Sequence, residues 1–446
     1  MRIKILSIGL CFFLACAGLA GVAVEEASAP RSAASAGVKA YIGANIIDGA
    51  GKLAVENAAL IVRDGKVEAV GPASKIKPPA GAQTINLAGK FIIPGLISAH
   101  AHVSDVQGLR PPAYTEENTL RQLGVFARYG VATVLSLGGE KEPAFKLRDA
   151  QNTPSLDRAR IYLSGDIITG KTPEEARQMV ARVAATKPDI IKIRVDDNLG
   201  ATPKMAPEVY RAVIDEAHQR GLRVAAHIFY LEDAKDLLRA GVDFIAHSVR
   251  DREIDDEFIS LMKKRDVPYC ATLTRDLSTF VYESTPPFFS DPLFIREADR
   301  DVVAQLQEPR RQEAMRKSVS AQRYKAALAI AMRNIKKASD AGLIVAMGTD
   351  SGAFANRFEG YFEHLEMEMM AEAGLTPAQI LRSATGDAAR ALRVEGIGAI
   401  TKGAWADFVV LERDPLKDIR NTRSIASVWI AGNQVKGIES QTKETK

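Results

Sequence analysis

Cysteine is scarce in this chain. Of three cysteines in 446 residues, Cys11 and Cys16 lie near the start and only Cys270 lies in the body. A lone cysteine makes no intrachain disulfide, so a disulfide-stapled fold is excluded. An excess of one charge is missing as well. Lysine and arginine total 59 against 55 acidic residues, a formal net charge of +4. That balance gives no footprint for nucleic acid and no polybasic membrane contact. Past the N-terminus no apolar run is long enough to span a bilayer. There is no internal repeat and no glycine-rich phosphate fingerprint. The remainder is globular in composition, 46% hydrophobic and 26% charged, which excludes disorder, collagen and coiled coil. At about 150 residues per domain the length allows two to three domains, or one large domain with a small companion.

The N-terminus reads as a secretory signal over residues 1–29. Arg2 and Lys4 form a basic start, an uncharged apolar stretch runs from Ile5 to Val24, and small-residue cleavage options follow. The expectation is a secreted or periplasmic protein. An uncleaved anchor is weakened by the Gly/Ala-rich second half, and Phe13-Leu14-Ala15-Cys16 only approximates a lipobox.

Val38 to Lys90 is dense in short strands and turns, with Asp48-Gly49 and Asp64-Gly65 as hairpin dipeptides. Ile397 to Lys436 has the same texture. The two ends are expected to pair into a composite β-sandwich domain, residues 38–90 plus 395–437. Between them, residues 91–394 alternate short apolar runs with helical patterns. The expected strands are Ile92–Val103, Ala132–Leu137, Arg160–Ser164, Asp189–Val195, Arg223–His227, Phe244–His247, Pro268–Leu273 and Leu343–Gly348. Eight strands alternating with helices favour an α/β fold of the (β/α)8 TIM-like barrel type over an open sheet.

The connection from Arg275 to Gly342 is much longer than the others. It carries Phe280, Tyr282, Phe288, Phe289 and Phe294 among several prolines. Long connections in compact domains are functional or disordered, and this aromatic content argues against disorder. A lid-like insertion at about 275–320 is expected, with a packing or oligomer-contact element as the alternative.

Four of six histidines fall at or near expected strand ends. His100 and His102 stand two apart on the first strand and so face the same way. His227 ends the fifth strand, His247 ends the sixth, and Asp350 follows the eighth. In a barrel these positions meet at the C-terminal mouth. Four imidazoles and a carboxylate there describe a site for zinc or a similar borderline ion. Lys192 sits on the fourth strand between apolar neighbours. A lone ammonium in an apolar barrel is costly. It can pair, act as a neutral nucleophile or base, or take up CO2 to give a carbamate that bridges two cations. The nearby histidines favour the carbamate.

Pro94-Gly95-Leu96-Ile97-Ser98-Ala99-His100-Ala101-His102 resembles the strand-one motif of the amidohydrolase superfamily. His227, His247 and Asp350 follow in that superfamily's order, and Gly403 to Leu411 resembles its C-terminal β segment. The resemblance covers roughly residues 38–437 and is nearest the imidazolonepropionase-like and Xaa-Pro dipeptidase-like branch. It implies a binuclear centre of two divalent metal ions, zinc foremost, bridged by carboxylated Lys192. His100, His102 and Asp350 would hold the more buried ion, and His227 and His247 the more exposed one. Asp350 is the expected catalytic residue, taking a proton from water and passing it to the leaving amine. A ligand-only Asp350 is the alternative. The resemblance implies only that multimers, homo-oligomers included, are common among such proteins.

Tyr230, Arg194 and Arg275 are the candidates for contacting substrate, the arginines as carboxylate anchors. A salt bridge to Asp196 or Asp197 is the competing role for Arg194, and packing for Tyr230. Arg250 and Asp251 are placed on the rim, His218 on the surface, His364 in a structural or supporting role, and Cys270, Trp405 and Trp429 in cores. Together these features describe an exported metal-dependent amidohydrolase acting on a small molecule, a dipeptide of the Xaa-Pro kind or an N-acyl amino acid. A cyclic amide, lactone or phosphotriester is the alternative substrate, and a non-catalytic metal-bearing binding protein the alternative class. No nucleic acid and no membrane partner beyond the export signal are expected.

Overall fold

The computed structural model describes residues 37–50 and 53–438, so the expected leader at 1–29 lies outside the described residues. The strands in chain order begin with β1 (Val38–Ile47), β2 (Leu53–Arg63), β3 (Lys66–Pro72), β4 (Gln83–Asn86) and β5 (Phe91–Pro94). There follow β6 (Leu96–Ala101), β7 (Val131–Ser136), β8 (Arg160–Leu163), β9 (Ile191–Arg194), β10 (Val224–His227), β11 (Phe244–Ala246) and β12 (Tyr269–Cys270). The last are β13 (Phe408–Leu411), β14 (Ile425–Ile430) and β15 (Asn433–Gln434).

One mixed sheet joins the two β-rich ends in the order β15-β14-β13-β5-β1-β2-β3, with β4 on β1. Its hairpins follow from turn chemistry. Asp64 and Gly65 both have left-handed backbones, φ 50° and 75°, as a two-residue type I′ turn requires. On the edge away from β2, β1 serves two partners: Lys39–Ile42 pair with β4, then Asn45 and Ile46 pair with β5. Gly43 sits at the switch with φ +90°, and a Cβ there would meet the Ala88 backbone at 3.0 Å. Tyr41 packs edge-on at 4.9 Å against both Phe408 and Trp429, so both chain ends build this core.

The barrel forms from two parallel runs, β6-β7-β8 and β9-β10-β11-β12. Asp189 donates its N–H to the Leu163 carbonyl at 2.8 Å, and Ile168 donates to the Lys192 carbonyl at 2.9 Å, which joins the runs. Residues 344–351 close the ring in the eighth position. Tyr269 donates to the Ile344 carbonyl at 2.8 Å, Ala99 to Met347 at 2.7 Å and His102 to Ser351 at 2.7 Å. The expected single strand Ile92–Val103 is in fact two. β5 belongs to the mixed sheet and β6 to the barrel, with Gly95 between them. Gly95 donates to the Asp407 carbonyl at 2.8 Å, and a Cβ there would come within 2.4 Å of the Ala132 Cβ. The apolar run is continuous because both halves are buried, which is why period alone hides the break.

The barrel helices bury one face each. Val209, Val213 and Ala217 of the helix Pro207–Gln219 recur every four residues and are buried, each apolar branched side chain contributing about 1.5–3 kcal/mol. Thr376 and Gln379 form the expected reciprocal capping box on Pro377–Ser383. Among the described residues no helix is long and apolar enough to cross a membrane.

The long connection holds several short helices and then the helix Val319–Asp340. Tyr282, Phe289 and Phe294 are buried in one cluster with Tyr129, Phe358, Tyr361 and Phe362. Phe294 meets Phe358 at 4.7 Å and stacks on Phe289 at 5.2 Å. Arg128 forks onto Glu297 at 2.6 and 2.7 Å, and Arg423 pairs with Asp291 at 2.6 Å. These rings are thus packed with residues at the helices Glu116–Arg128 and Tyr361–Glu372.

Candidate metal centre

β6 ends at the mouth with His100 inside it and His102 just beyond. Asp350 is brought to them by the backbone. Thr349 and Asp350 both donate to the His100 carbonyl at 2.8 Å. This close approach requires Gly348, where a Cβ would lie 2.6 Å from both the His100 nitrogen and Cys270 Sγ. His100 Nε2 and His102 Nε2 then stand 3.2 Å and 2.8 Å from Asp350 Oδ1. One ligand atom from each of the three lies within 4.8 Å of the others. Lys192, buried on β9, places Nζ 3.3 Å from His100 Nε2. The His227 and His247 rings are 4.0 Å apart, and His247 is 4.4 Å from His100. All six residues expected as metal ligands therefore converge.

Three of the residues at this mouth hold left-handed backbones without being glycine: His247 at φ 85°, Thr272 at 53° and Asp350 at 61°. Such positions cost on the order of 1–3 kcal/mol each and persist where surrounding contacts impose them. Those contacts are visible. His247 Nδ1 lies 2.7 Å from Thr272 Oγ1, and His227 Nε2 lies 2.9 Å from Asp196 Oδ2. Each engages one ring nitrogen and leaves the other for a ligand role. Glu363 Oε1 accepts from Ser98, Thr349 and Ser351 at 2.7–2.9 Å, clamping both flanks of Asp350 to β6.

Burial holds His100 and His247 well below the usual imidazole range and His227 down at about 3. The neutral ring is the form a metal ligand needs. Burial also lowers the Lys192 ammonium to about 8. For Asp350, burial pushes upward, but the Arg357 charge and the hydrogen bonds of His100 and His102 prevail and hold it well below the carboxylate range. Neutral imidazoles, a carboxylate and a lysine whose ammonium is lowered to about 8 form a donor set suited to a borderline divalent ion. Internal hydrogen bonds do not satisfy the cluster, since His100 Nδ1 is buried without a partner.

The substrate-contact residues are placed differently. Arg194 Nε donates to Asp196 Oδ1 at 2.9 Å, so the salt bridge is formed and Asp196 links it to His227. Tyr230 donates its hydroxyl to Asp197 at 2.8 Å under Lys204 Nζ. Arg275 is buried, pairs with Asp276 at 2.9 Å and lies over the Tyr324 ring at 4.5 Å. Arg250 is not on the rim. It is 1% exposed, donates to the Ile228 and Ser248 carbonyls and pairs with Asp276 at 3.0 Å. Asp251 likewise accepts from the Leu231 nitrogen. His218 is at the surface with Asp243, and His364 is a buried link between Thr422 and the Tyr129 carbonyl. The sequence reading missed Thr272, Glu363 and Arg357. Arg357 contacts Asp350 Oδ2 from a loop with no periodicity to announce it.

Residues 91–435 match the family profile described as the amidohydrolase family. An uncharacterised protein of Mycobacterium bovis is 28% identical over 213 residues, 44% of this chain and 54% of that one. The chain thus spans about half the length of the first curated relatives it matches. Imidazolonepropionase of Deinococcus radiodurans is 22% identical over 403 residues, 85% of this chain and 92% of that protein. Among solved structures, a Bifidobacterium longum protein proposed to be a prolidase superposes with a TM-score of 0.74 at 26% identity. That match covers 91% of this chain and 96% of the other. A family match over residues 91–435, carried by a barrel whose strand ends bring these histidines, lysine and aspartate together, makes the chain a member of the amidohydrolase family.

Proposed function

We propose that this chain is an exported, metal-dependent hydrolase that cleaves the amide C–N bond of an Xaa-Pro-like dipeptide or an N-acyl amino acid. The carrying observation is the convergence of His100, His102 and Asp350, with Lys192 Nζ 3.3 Å from His100 Nε2. In this reading His100, His102 and Asp350 hold one divalent ion, zinc by donor type. His227 and His247 would hold a second, and Lys192, carboxylated when its neutral amine adds CO2 and loses a proton, would supply carbamate oxygens to the centre. When bound, such ions lower the pKa of a shared water to about 7 and polarise the scissile carbonyl.

The chain's own residues supply the rest. Asp350 accepts the proton of the attacking water and passes it to the leaving amine. Asp196 and Thr272 fix the rings of His227 and His247. Arg275 adds a buried positive charge whose field reaches His227 and Asp350, which favours a substrate bearing a carboxylate. Arg194 and Tyr230 remain candidates for contact at the ends of the fourth and fifth strands. Residues 1–29 support export, and likeness to a protein proposed to be a prolidase supports a dipeptide-sized substrate.

The test is hydrolysis of a pooled library of L-dipeptides and N-acyl-L-amino acids by the zinc-loaded mature chain, read by mass spectrometry. Cleavage of a related group of members is expected. Silence with two ions bound would overturn the substrate class and direct the search to cyclic amides, lactones and phosphotriesters.

A further inference from the structure

We infer that Arg357 is the specificity-determining residue of this site: it recognises a substrate's free carboxylate by giving up Asp350 in exchange for it. The inference rests on the amide-hydrolase reading and adds to it a gate for one substrate class.

The two oxygens of Asp350 have different partners. Oδ1 faces His100 and His102, while Oδ2 is covered by the Arg357 guanidinium. That arginine is itself buried, only 8% exposed. Its Nε donates to Ser278 Oγ at 3.1 Å, and its guanidinium lies over the Phe354 ring at 4.9 Å. Arg357 also lines a cleft beside the mouth, together with Val125, Phe294, Phe354 and Phe358. Phe354 stands at the lip of this cleft and is 60% exposed. The guanidinium therefore touches the carboxylate on one side and borders open, ring-lined space on the other.

The acidic groups of the cleft already have partners of their own. Glu359 accepts from Gln122 at 2.7 Å and faces Arg121 at 3.8 Å. Glu297 is held by Arg128, and Asp299 caps the helix Arg300–Leu306. Arg357 is paired with the catalytic carboxylate instead. An anion entering the cleft thus competes with one group, Asp350.

A guanidinium fork binds carboxylates in a matched, two-point geometry. Removing one partner from a buried ion pair is strongly unfavourable, so Arg357 leaves Asp350 only for another carboxylate. A substrate that brings one next to an apolar side chain satisfies the fork and the rings together, and opens Asp350 Oδ2 to water. A neutral analogue leaves the ion pair closed. Recognition at a distance from the scissile bond then decides whether the base is available.

The test uses two ligands without a scissile C–N bond, 3-phenylpropanoate and 3-phenylpropan-1-ol, titrated calorimetrically into the full chain. The carboxylate should bind about 10- to 100-fold more tightly, the span of a charge-assisted hydrogen-bond pair. Arg357→Met should shrink the gap below about 3-fold, Arg357→Lys should restore part of it, and Asp350→Asn should tighten the carboxylate by removing its competitor. An unchanged gap in folded Arg357→Met, equal binding of both ligands by the parent, or weaker carboxylate binding in Asp350→Asn would each overturn the inference. If the gap behaves as expected but no amide is cleaved, the recognition stands and the hydrolase reading falls.

Discussion

Arg160 and Asp407 form an ion pair at 2.8 Å with both side chains buried. Arg160 opens β8 of the barrel, and Asp407 directly precedes β13 of the mixed sheet. The second oxygen of Asp407 accepts from the Ala431 nitrogen at 2.7 Å, and Arg160 lies over the Trp405 ring at 4.2 Å. One pair thus fastens the two bodies. Arg160→Met strands a buried carboxylate and should lower the unfolding free energy by about 3–5 kcal/mol. The double variant Arg160→Met/Asp407→Asn should recover a good part of that loss. Urea midpoints check both, and an Arg160→Met protein as stable as its parent would refute the fastening role.

Acid sensitivity follows from the buried imidazoles. Burial, first among the causes, pushes His227 and His364 down to about 3 and lowers His100 and His247 too. In the unfolded chain these groups take up protons near pH 6.5. Below that pH the unfolded state binds more protons than the folded one, so stability rises with pH and is lost as pH falls from 6.5 towards 3. Each such group adds a slope of about 1.4 kcal/mol per pH unit. The Tm of metal-free protein should drop steeply between about pH 6.5 and 5. His364→Gln, remote from the metal ligands, should make the drop shallower, and a flat Tm profile in the parent would contradict the account.

Gly348→Ala places a Cβ against the His100 nitrogen and Cys270 Sγ, both 2.6 Å away. The eighth segment must then move off β6 and carry Asp350 from the histidines. Metal retention against a chelator should fall by at least about tenfold while the far-UV circular dichroism stays native, because misplaced ligands lose affinity on that scale. Unchanged retention would show that the site tolerates a looser eighth segment.

Asp350→Asn and Lys192→Ala separate chemistry from assembly. Asp350→Asn removes the proposed proton acceptor and should lower kcat by about 10²–10⁴ on any substrate the parent cleaves. Lys192→Ala should lower the metal content of protein grown with zinc and bicarbonate from two ions to one. Trapping CO2 needs the neutral amine, and Lys192 is lowered to about 8, so reloading should improve from pH 7 to pH 9. Equal rates in Asp350→Asn would remove that carboxylate from the mechanism. One ion in parent and Lys192→Ala alike would remove the bridge.

The candidate metal residues were legible because barrel geometry converts sequence into place. Two histidines two apart at one strand end face one way, and His227, His247 and Asp350 each end or follow an apolar run that reads as a parallel strand. Helix starts were legible for local reasons, as Thr376 and Gln379 illustrate. What stayed hidden depends on partners distant in sequence. Gly95 divides an apolar run only because Ala132 and Asp407 crowd it. Arg250 looked like a rim residue, yet Asp276 and two carbonyls hold it inside. Arg357 finds Asp350 through the fold of a loop, and no pattern of residue types encodes that meeting.

The pairing of β5 with β13 joins segments from near opposite ends of the chain. β6 begins two residues after β5 ends, so the strand that carries His100 hangs from a sheet whose closing partner follows the whole barrel in sequence. Long-range pairing of this kind makes closure slow. A nascent chain so arranged cannot complete this sheet around β5 until Phe408–Leu411 has been made.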